Sequence, residues 1–298
     1  MLGTALRQAL AGRGSSIVQL VRRDPSAAGE LRWDPSARKP LDDSRPLEGL
    51  RAAIHLSGAS VAGHRWTDAY KREMVASRVK STQTLASVLS SLRQPPAALI
   101  SASAAGFYGD RGNERLDERS SPGSGFLADL CRDWEAASQP AVVAGIRVVH
   151  PRLGVVLGAQ AGALARMLPL FRLGLGGPLG SGRQWMSWIS LQDAVAALLF
   201  LIDTPALTGP VNLTAPEPVT NSEFTQALSR AVHRPAVLPA PAFALRLAFG
   251  QMADEALLAS ARIYPTRLIG AGFRFAHPTV AEALAARVDS SDGHLIEH

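Results

Sequence analysis

An apolar run that turns polar at its end carries the residue types best suited to chemistry. Ala97–Ile100 reads as a buried strand, Ser101 and Ser103 follow it, and Tyr108 comes soon after them. In open parallel sheets, ligands bind beyond the carboxyl ends of the strands, so we predict that Ser103 lies at a ligand site. Tyr108 is the phenol placed to move a proton there. The simpler alternatives are a serine that caps a strand and a tyrosine that packs in a loop.

Two arginines follow an earlier predicted strand. Ser16–Val21 is rich in apolar and β-branched residues, and Arg22 and Arg23 come directly after it. At this place in a dinucleotide-binding sheet, an acidic residue binds the ribose 2′-hydroxyl of NAD, whereas arginine pairs with the 2′-phosphate of NADP. The pair therefore predicts NADP rather than NAD as the cofactor. Two solvated loop arginines are the alternative.

These residues are positioned by strands and helices that alternate along the chain. Such alternation predicts an α/β fold with a Rossmann-like, doubly wound parallel sheet, followed by a small, mainly helical C-terminal cap. An apolar stripe predicts a long helix over 68–92, which Pro95 and Pro96 end. The predicted domains are a nucleotide-binding domain at 1–215 with a substrate-cleft insertion at 162–190, a cap at 216–288 and a disordered tail at 289–298.

The first residues resemble the end of a glycine-rich, dinucleotide-binding turn. A helical pattern begins at Leu2, and Gly3 stands where the last glycine of such a turn lets a helix pack closely on a strand. The strand and the earlier glycines expected before this point are not in the sequence. We therefore expect the sheet to lack its central first strand, the phosphate cradle to be incomplete, and Met1 to be an internal codon.

Composition argues against several classes of function. The net charge is +6, but only three of the 31 basic residues are lysines and the arginines are scattered, so no basic stripe predicts nucleic-acid binding. No apolar run is long enough to predict a membrane span. A single cysteine, Cys131, rules out an internal disulfide and indicates the reducing cytoplasm. The histidines show no metal-ligand spacing, so no metal site is predicted.

Several segments together resemble one family. Ile100–Asp110 resembles the catalytic-serine segment of extended short-chain dehydrogenases and nucleotide-sugar epimerases. More narrowly, the chain is similar to atypical members of the NAD-dependent epimerase/dehydratase family, which carry a C-terminal domain of unknown function and are sometimes labelled cell-division inhibitor homologues. The other segments that carry this resemblance are Arg65–Thr67, Ser77–Val79, Phe126–Ala128, Trp134 with Glu135, Arg152–Gly158, Gly174–Pro178, Ser187–Ile189 and Asn212–Pro216.

The resemblance implies a role for each candidate residue. It implies that Ser103 holds the substrate hydroxyl or carbonyl, with Tyr108 as the second catalytic candidate. The family's Tyr-x-x-x-Lys acid/base pair is absent, and Leu127 and Cys131 stand at its two places. The cofactor-binding positions implied, besides the two arginines, are Gly3, Ser57, Gly58, Ala59, Ser101, Ala102, Pro151, Arg152, Leu153 and Gly154. Candidates for gripping a substrate are Arg172, Arg183 and Trp185.

Three functions stay open on this sequence. The first is an NADP(H)-binding oxidoreductase or epimerase that acts on a small polar, sugar-like substrate through Ser103 and Tyr108. The second is a non-catalytic NADPH-binding regulator or sensor, which the absent acid/base pair favours. The third is an interaction protein of cell division, suggested only by the label of some relatives. The sequence predicts neither the substrate nor the oligomeric state.

Overall fold

The computed structural model describes residues 1–292. Of the predicted tail at 289–298, residues 289–292 belong to the last helix and residues 293–298 lie outside the described residues. The helices are α1 (Leu2–Gly12), α2 (Asp68–Val75), α3 (Ser81–Ser90), α4 (Phe126–Ala136), α5 (Gln139–Val143), α6 (Ala163–Arg172), α7 (Leu191–Asp203), α8 (Asn221–Ala231), α9 (Ala242–Phe249), α10 (Thr266–Gly270) and α11 (Val280–Asp292). The strands are β1 (Gln19–Val21), β2 (Glu30–Arg32), β3 (Ala53–His55), β4 (Ala98–Ser101), β5 (Ser103–Ala104), β6 (Arg115–Leu116), β7 (Arg147–Leu153), β8 (Val155–Leu157), β9 (Trp185–Met186), β10 (Trp188–Ser190), β11 (Gly209–Leu213), β12 (Val219–Thr220) and β13 (Arg262–Ile263). Single turns of 3-10 helix occur at Arg45–Leu47 and Ala105–Tyr108, and π turns at Ala76–Lys80 and Ala253–Leu257. None of the helices within 1–292 is long and apolar enough to cross a membrane.

The main sheet is parallel throughout, which confirms the predicted α/β, Rossmann-like fold. Its strands lie in the order β11-β7-β4-β3, and β5 also pairs with β7. All four residues of β4 are buried, as expected for a parallel strand that helices cover on both faces. Because the strands are parallel, the segments that follow β3, β4 and β7 meet at one edge of the sheet. We call this the carboxyl edge.

The first two strands form a separate parallel pair. Within the described residues, β1 pairs only with β2, and β3 pairs only with β4. A groove with a volume of about 720 Å³ lies between β1 and β3. The strand predicted over 16–21 is shorter than expected, because its ladder with β2 starts only at Gln19.

The helix predicted over 68–92 is one helical run that a π turn interrupts. Thr67 caps its amino end by accepting a hydrogen bond from the Tyr70 backbone N–H, and the run ends with α3 at Ser90. The apolar stripe on which the prediction rests faces the core at Met74, Leu85 and Leu89. A π turn inserts one residue into a helix and is frequent at functional sites. Here it covers 76–80, between α2 and α3.

The C-terminal region packs against the sheet domain as a mainly helical cap. α8 and α11 share a hydrophobic cluster around Phe224, Leu228 and Leu284. α10 lies against β11 and places Leu268 in the main core. The region also contributes a strand, because β13 pairs in parallel with β6 of the sheet domain.

Candidate functional site

Ser103 lies at the carboxyl edge of the sheet, with its hydroxyl bound inside the protein. The residue is on β5 and is 1% exposed. Its Oγ donates a hydrogen bond of 2.7 Å to Oε1 of Glu135 on α4. The hydroxyl proton is therefore committed to Glu135, and only the oxygen lone pairs are left for another partner.

Arg152 on β7 holds Glu135 from the other side. Its Nε and Nη2 atoms donate to the two carboxylate oxygens over 2.8 and 2.9 Å. The Arg152 guanidinium also lies over the Phe107 ring, 3.4 Å from the ring centre. A buried, two-pronged pair of this kind has little freedom to move. Arg152 therefore fixes the orientation of the carboxylate that Ser103 contacts.

Tyr108 belongs to the same set of hydrogen bonds. Its hydroxyl donates to Oδ1 of Asn212 over 2.7 Å and accepts from Nη1 of Arg152 over 3.0 Å. The side chain is fully buried, and burial raises the pKa of Tyr108 to about 12 although Arg152 and Asn212 oppose the shift. The phenol is therefore neutral at physiological pH. We call Ser103, Glu135, Arg152, Tyr108 and Asn212 the buried polar network.

Sequence reasoning proposed roles for three members of the buried polar network and for neither Glu135 nor Asn212. A signal for both was present. Glu135 follows Trp134 on a helix whose inner face is otherwise apolar, and Asn212 interrupts the apolar end of β11. A polar side chain at such a place needs a buried partner, but the sequence does not show which partner it meets.

The places of the missing acid/base pair are filled by residues without acid/base function. Leu127 has no titratable group, and Cys131 is buried with its Sγ donating to the Ala104 carbonyl oxygen over 3.7 Å. Burial, followed by the nearby Glu135 charge, raises the pKa of Cys131 to about 12. The thiol is therefore protonated at physiological pH.

The two histidines near the sheet are buried, and each contacts at least one hydroxyl group. Nε2 of His150 lies 3.2 Å from the Ser138 hydroxyl, and burial lowers the pKa of His150. Both ring nitrogens of His55 contact hydroxyls, those of Ser81 and Thr82, at 3.0 Å. Over the part of the chain that the structure describes, no group of histidine, cysteine and acidic side chains is arranged to hold a metal ion.

The amino end of α1 is open at the carboxyl edge. Met1 precedes the helix and contacts Gly158, which directly follows β8. No side chain caps this end of α1, and its first turn has no acidic residue. The space beside Gly3 is open, since a Cβ atom there would meet nothing within 4 Å. The backbone N–H groups of the first turn can therefore bind an anion, which the helix dipole also favours.

The loop after β3 lies at the same edge and is held by the π turn. Ser57 and Gly58 are exposed, and the Ala59 N–H donates to the Ser77 hydroxyl over 3.0 Å. The Arg78 guanidinium donates to the Ala59 carbonyl oxygen over 2.8 Å. A Cβ atom on Gly58 would lie 2.9 Å from the guanidinium carbon of Arg78, so a larger residue here would displace that side chain. The inserted turn residue thus aims Ser77 and Arg78 at this loop.

The two arginines after β1 differ in their surroundings. Arg23 forms a two-pronged pair with Glu30 at 2.5 and 2.8 Å, and this hydrogen bonding is the main cause that lowers the pKa of Glu30 to about 2. Arg32, on β2, pairs with Asp24 at 2.8 Å. Arg22 is exposed, and its charge interacts with that of Asp34. Arg22 is therefore the better placed of the predicted pair to bind a phosphate.

The other predicted cofactor positions form the floor of the carboxyl edge. Ser101 and Ala102 are buried, and the Ser101 hydroxyl has no hydrogen-bond partner among the described residues. Pro151 is buried and Leu153 half-buried on β7. A Cβ atom on Gly154 would lie 2.7 Å from the carbonyl oxygen of Ser187, so the backbone packs there as only glycine allows.

The predicted substrate-cleft segment contributes one aromatic contact to the cap. Trp185 is half-buried, and the Arg262 guanidinium lies over its ring at 4.2 Å from the centre. Arg172 and Arg183 are exposed. The two arginines proposed to grip a substrate therefore lie at the surface, whereas the side chains of the buried polar network are largely buried.

The fold and the site together define a Rossmann-like α/β protein, with a parallel sheet, a polar loop at its carboxyl edge and an open helix amino end there. The chain belongs to the NAD dependent epimerase/dehydratase family, whose model matches residues 1–213. A second model, described as a domain of unknown function (DUF1731), matches residues 240–286. Both matches confirm the resemblance seen in the sequence.

Relatives and solved structures agree with this assignment. An epimerase family protein of Mycobacterium tuberculosis is 48% identical over 284 residues, which cover 95% of this chain and 93% of that protein. The crystal structure of human epimerase family protein SDR39U1 (isoform 2) with NADPH has a TM-score of 0.88 at 32% identity and covers 97% of this chain and 96% of that one. UDP-glucose 4-epimerase of Thermus thermophilus, in complex with NAD, has a TM-score of 0.75 at 18% identity over 98% of this chain and 96% of its own, a likeness of fold alone.

Proposed function

We propose that this chain binds NADP(H) at the carboxyl edge of its sheet, and that cofactor binding rather than conventional dehydrogenase catalysis is its function. The observation that carries the proposal is the open amino end of α1, which has free N–H groups, no acidic residue and open space beside Gly3. These features fit a diphosphate. The human relative whose structure contains NADPH supports the same assignment.

Each part of the dinucleotide has candidate partners. The diphosphate would lie on the N–H groups of the first turn of α1 and against the loop at Ser57 and Gly58. Arg22 would bind the 2′-phosphate, since its guanidinium is exposed, whereas that of Arg23 is held by Glu30. The nicotinamide would lie over Pro151 and Gly154. When bound, the reduced nicotinamide supplies a hydride.

The buried polar network argues against conventional catalysis. A hydride transfer to a carbonyl needs a group that delivers a proton. Tyr108 is fully buried with its proton directed at Asn212, and its pKa is raised to about 12. Cys131 and Leu127 cannot replace the missing acid/base pair. The network therefore stabilises the floor of the site and supplies no exposed acid.

A cofactor titration tests the proposal. We expect NADPH to bind more tightly than NADH, as read by cofactor fluorescence. Arg22→Glu replaces a charge-assisted hydrogen bond with a repulsion, so it should weaken NADPH binding at least about tenfold and leave NADH binding nearly unchanged. Arg93→Glu is the matched control, because Arg93 is also exposed but precedes β4 at the opposite edge of the sheet. Equal affinity for the two cofactors, or an equal loss with both variants, would contradict the proposal.

One contact favours a second candidate function, reduction of a small polar, sugar-like carbonyl compound. The Ser103 hydroxyl and the Glu135 carboxylate form a hydrogen-bonded pair at 2.7 Å, along which a proton could pass to or from a substrate. This function requires NADPH consumption with a panel of small polar aldehydes and ketones, and loss of that consumption in Ser103→Ala. Consumption that Ser103→Ala leaves unchanged would remove this candidate.

We further propose a cytoplasmic location and a small molecule as the partner. The lone cysteine is buried and free, which suits a reducing compartment. Cell fractionation tests the location, and recovery of the native protein outside the cytoplasmic fraction would refute it.

A further inference from the structure

Two segments that lie side by side expose large apolar side chains. The first covers the end of α6 and the loop after it, and the second covers the loop before α9 and α9 itself. The Leu238 N–H donates to the Gly176 carbonyl oxygen over 3.2 Å, which joins the two segments. The Ala240 N–H likewise donates to the Pro178 carbonyl oxygen over 2.9 Å. We call the exposed apolar side chains of these segments the apolar ledge: Leu170, Leu173, Leu175, Val237, Phe243 and Leu247.

The side chains of the apolar ledge are largely in water. Four of them are between 71% and 77% exposed, namely Leu173, Val237, Phe243 and Leu247. Phe243 and Leu247 are four residues apart on α9, so they lie on the same side of the helix, while Leu245 is buried in the protein. Exposed apolar patches on a folded protein mark contact with another protein or with a membrane.

The charge of the same two parts of the chain is positive. Neither 160–185 nor 224–253 contains an aspartate or a glutamate. Arg246 pairs at 2.8 Å with Asp254, which is the next acidic residue along the chain. The apolar ledge is therefore set among cations. The exposed arginines of the two stretches are Arg166, Arg172, Arg183, Arg230, Arg234 and Arg246.

An anionic lipid bilayer fits this combination of apolar side chains and arginines. Lipids are mobile, so a phosphate can meet each guanidinium while leucine and phenylalanine side chains enter the acyl boundary. Long arginine side chains reach lipid headgroups from apolar surroundings. A protein partner, in contrast, would need a carboxylate opposite each arginine that it covers. A second copy of this chain would set the same arginines against themselves in a two-fold interface, which repulsion disfavours.

We propose that the apolar ledge attaches this protein to the surface of an anionic lipid bilayer. Phe243 and Leu247 enter the boundary between headgroups and acyl chains, and the arginines around them bind lipid phosphates. α9 has eight residues and is about 12 Å long, so it lies on the bilayer and does not span it. Salt reverses such an attachment, so a salt wash returns the protein to the cytoplasmic fraction. The proposal goes beyond cofactor binding and does not depend on it.

Vesicle flotation of the unmodified protein tests the proposal. We expect binding to vesicles of phosphatidylglycerol and phosphatidylcholine mixed at about 1:2, and at least about tenfold weaker binding to phosphatidylcholine alone. Raising the salt from about 0.05 M to about 0.5 M should weaken binding to the mixed vesicles, because salt screens the arginines. Amide hydrogen exchange at 235–247 should slow on binding, whereas exchange in α5 should not change. No flotation with the mixed vesicles, equal binding to both kinds of vesicle, or unchanged exchange at 235–247 would each overturn the proposal.

Two double variants provide a matched comparison. Phe243→Ser with Leu247→Ser removes two apolar anchors from the ledge and should weaken vesicle binding at least about tenfold. Val142→Ser with Val143→Ser is the control and should not weaken it, because Val143 is as exposed as Leu247 but lies on α5, which packs against α3. Equal losses in the two variants would overturn the proposal. If the first variant does not fold, flotation and exchange of the unmodified protein decide.

Sedimentation without vesicles tests whether a second copy covers the ledge instead. We expect no dimer that depends on the ledge. A dimer of the unmodified protein that Phe243→Ser with Leu247→Ser dissociates would refute a lipid surface as the partner.

Discussion

Glu135 is the residue on which the buried polar network depends, because it accepts hydrogen bonds from both Ser103 and Arg152. Glu135→Gln removes the charge that neutralises Arg152, whose side chain is only 4% exposed. Breaking a buried ion pair by removing one partner costs about 3–5 kcal/mol. We expect a decrease of that size in the free energy of unfolding, measured by chemical denaturation.

A double variant is the control for this prediction. Glu135→Leu combined with Arg152→Met removes both charges, and replacing a buried pair by apolar side chains is often close to neutral. The double variant should therefore be more stable than Glu135→Gln. A single variant that loses less than about 1 kcal/mol would show that water reaches the Arg152 guanidinium.

The titration of His55 should make the free energy of unfolding depend on pH. Burial lowers the pKa of His55 from 6.5 to about 4, so the unfolded chain binds a proton at a higher pH than the folded protein does. The stabilisation from neutral His55 is present above pH 6.5 and is lost as the pH falls toward 4. The loss amounts to roughly 3 kcal/mol over this range.

His55→Gln isolates this titration, because glutamine can still bond to Ser81 and Thr82 but does not titrate. Denaturation of both proteins measures this. Between pH 7 and pH 4, the free energy of unfolding of the variant should decrease by roughly 3 kcal/mol less than that of the unmodified protein. Parallel curves would mean that another group carries the dependence, such as His150, whose pKa burial also lowers.

At the scale of elements, α4 takes its amino-terminal cap from the C-terminal region. The Glu255 carboxylate accepts from the backbone N–H groups of Phe126 and Leu127 at 3.2 and 2.8 Å. Loss of a helix cap costs about 1 kcal/mol, and a carboxylate at this end also interacts favourably with the helix dipole. Glu255→Ala should lower the free energy of unfolding by about 1–2 kcal/mol.

Glu73→Ala is the matched control for that measurement, since Glu73 is exposed within α2 and alanine suits a helix interior. We expect this control to change stability by less than about 0.5 kcal/mol. Equal effects of the two variants would show that the Glu255 contact does not stabilise α4.

Elements with a strong periodic pattern could be predicted from the sequence. The helix over 68–90 and the buried strands β4 and β7 follow from runs of apolar residues with helical or strand spacing. The π turn could not be predicted in this way, because an apolar stripe does not show at which position a residue is inserted. The strand at β1 was predicted but its short length was not, since a strand's length depends on its partner.

The position of the candidate site could be predicted from the sequence, but the burial and the pairing of its side chains could not. Parallel strands end at one edge, so Ser103 and Arg152 had to lie near each other. Their burial comes from residues far along the chain, such as Asn212 below Tyr108. The sequence likewise does not show that Arg23 is paired and Arg22 is not paired with Glu30. The pairing of Arg23 with Glu30 requires β1 and β2 to lie side by side.

At the scale of the whole molecule, hydrogen bonds join the cap to the sheet domain at several places. Asn212 donates to the Tyr264 carbonyl oxygen, and Glu118 accepts from the Arg267 N–H. Asp193, at the start of α7, accepts from the backbone of Ala276 and His277. These bonds are partly buried, so opening the interface would break them and expose their polar groups.

We therefore expect the sheet domain and the cap to unfold together. Tryptophan fluorescence and far-ultraviolet circular dichroism should give coincident denaturation curves with a single midpoint. Trp188 and Trp134, buried in different parts of the chain, report on both regions. Two separate midpoints would show that the cap unfolds on its own despite these bonds.

The cap on α4 also bears on the order of events during synthesis. Glu255 comes 128 residues after Leu127, and its carboxylate accepts a hydrogen bond from the Leu127 N–H. At bacterial and eukaryotic rates of elongation, a ribosome needs about 6–26 s to synthesise that length. During this time the rest of α4 and then β7 and β11 are synthesised, and until Glu255 is added the amino end of α4 has no carboxylate to bind. The finishing of this helix is thus timed by translation, and a pause between the two residues would prolong the interval in which the nascent chain depends on chaperones.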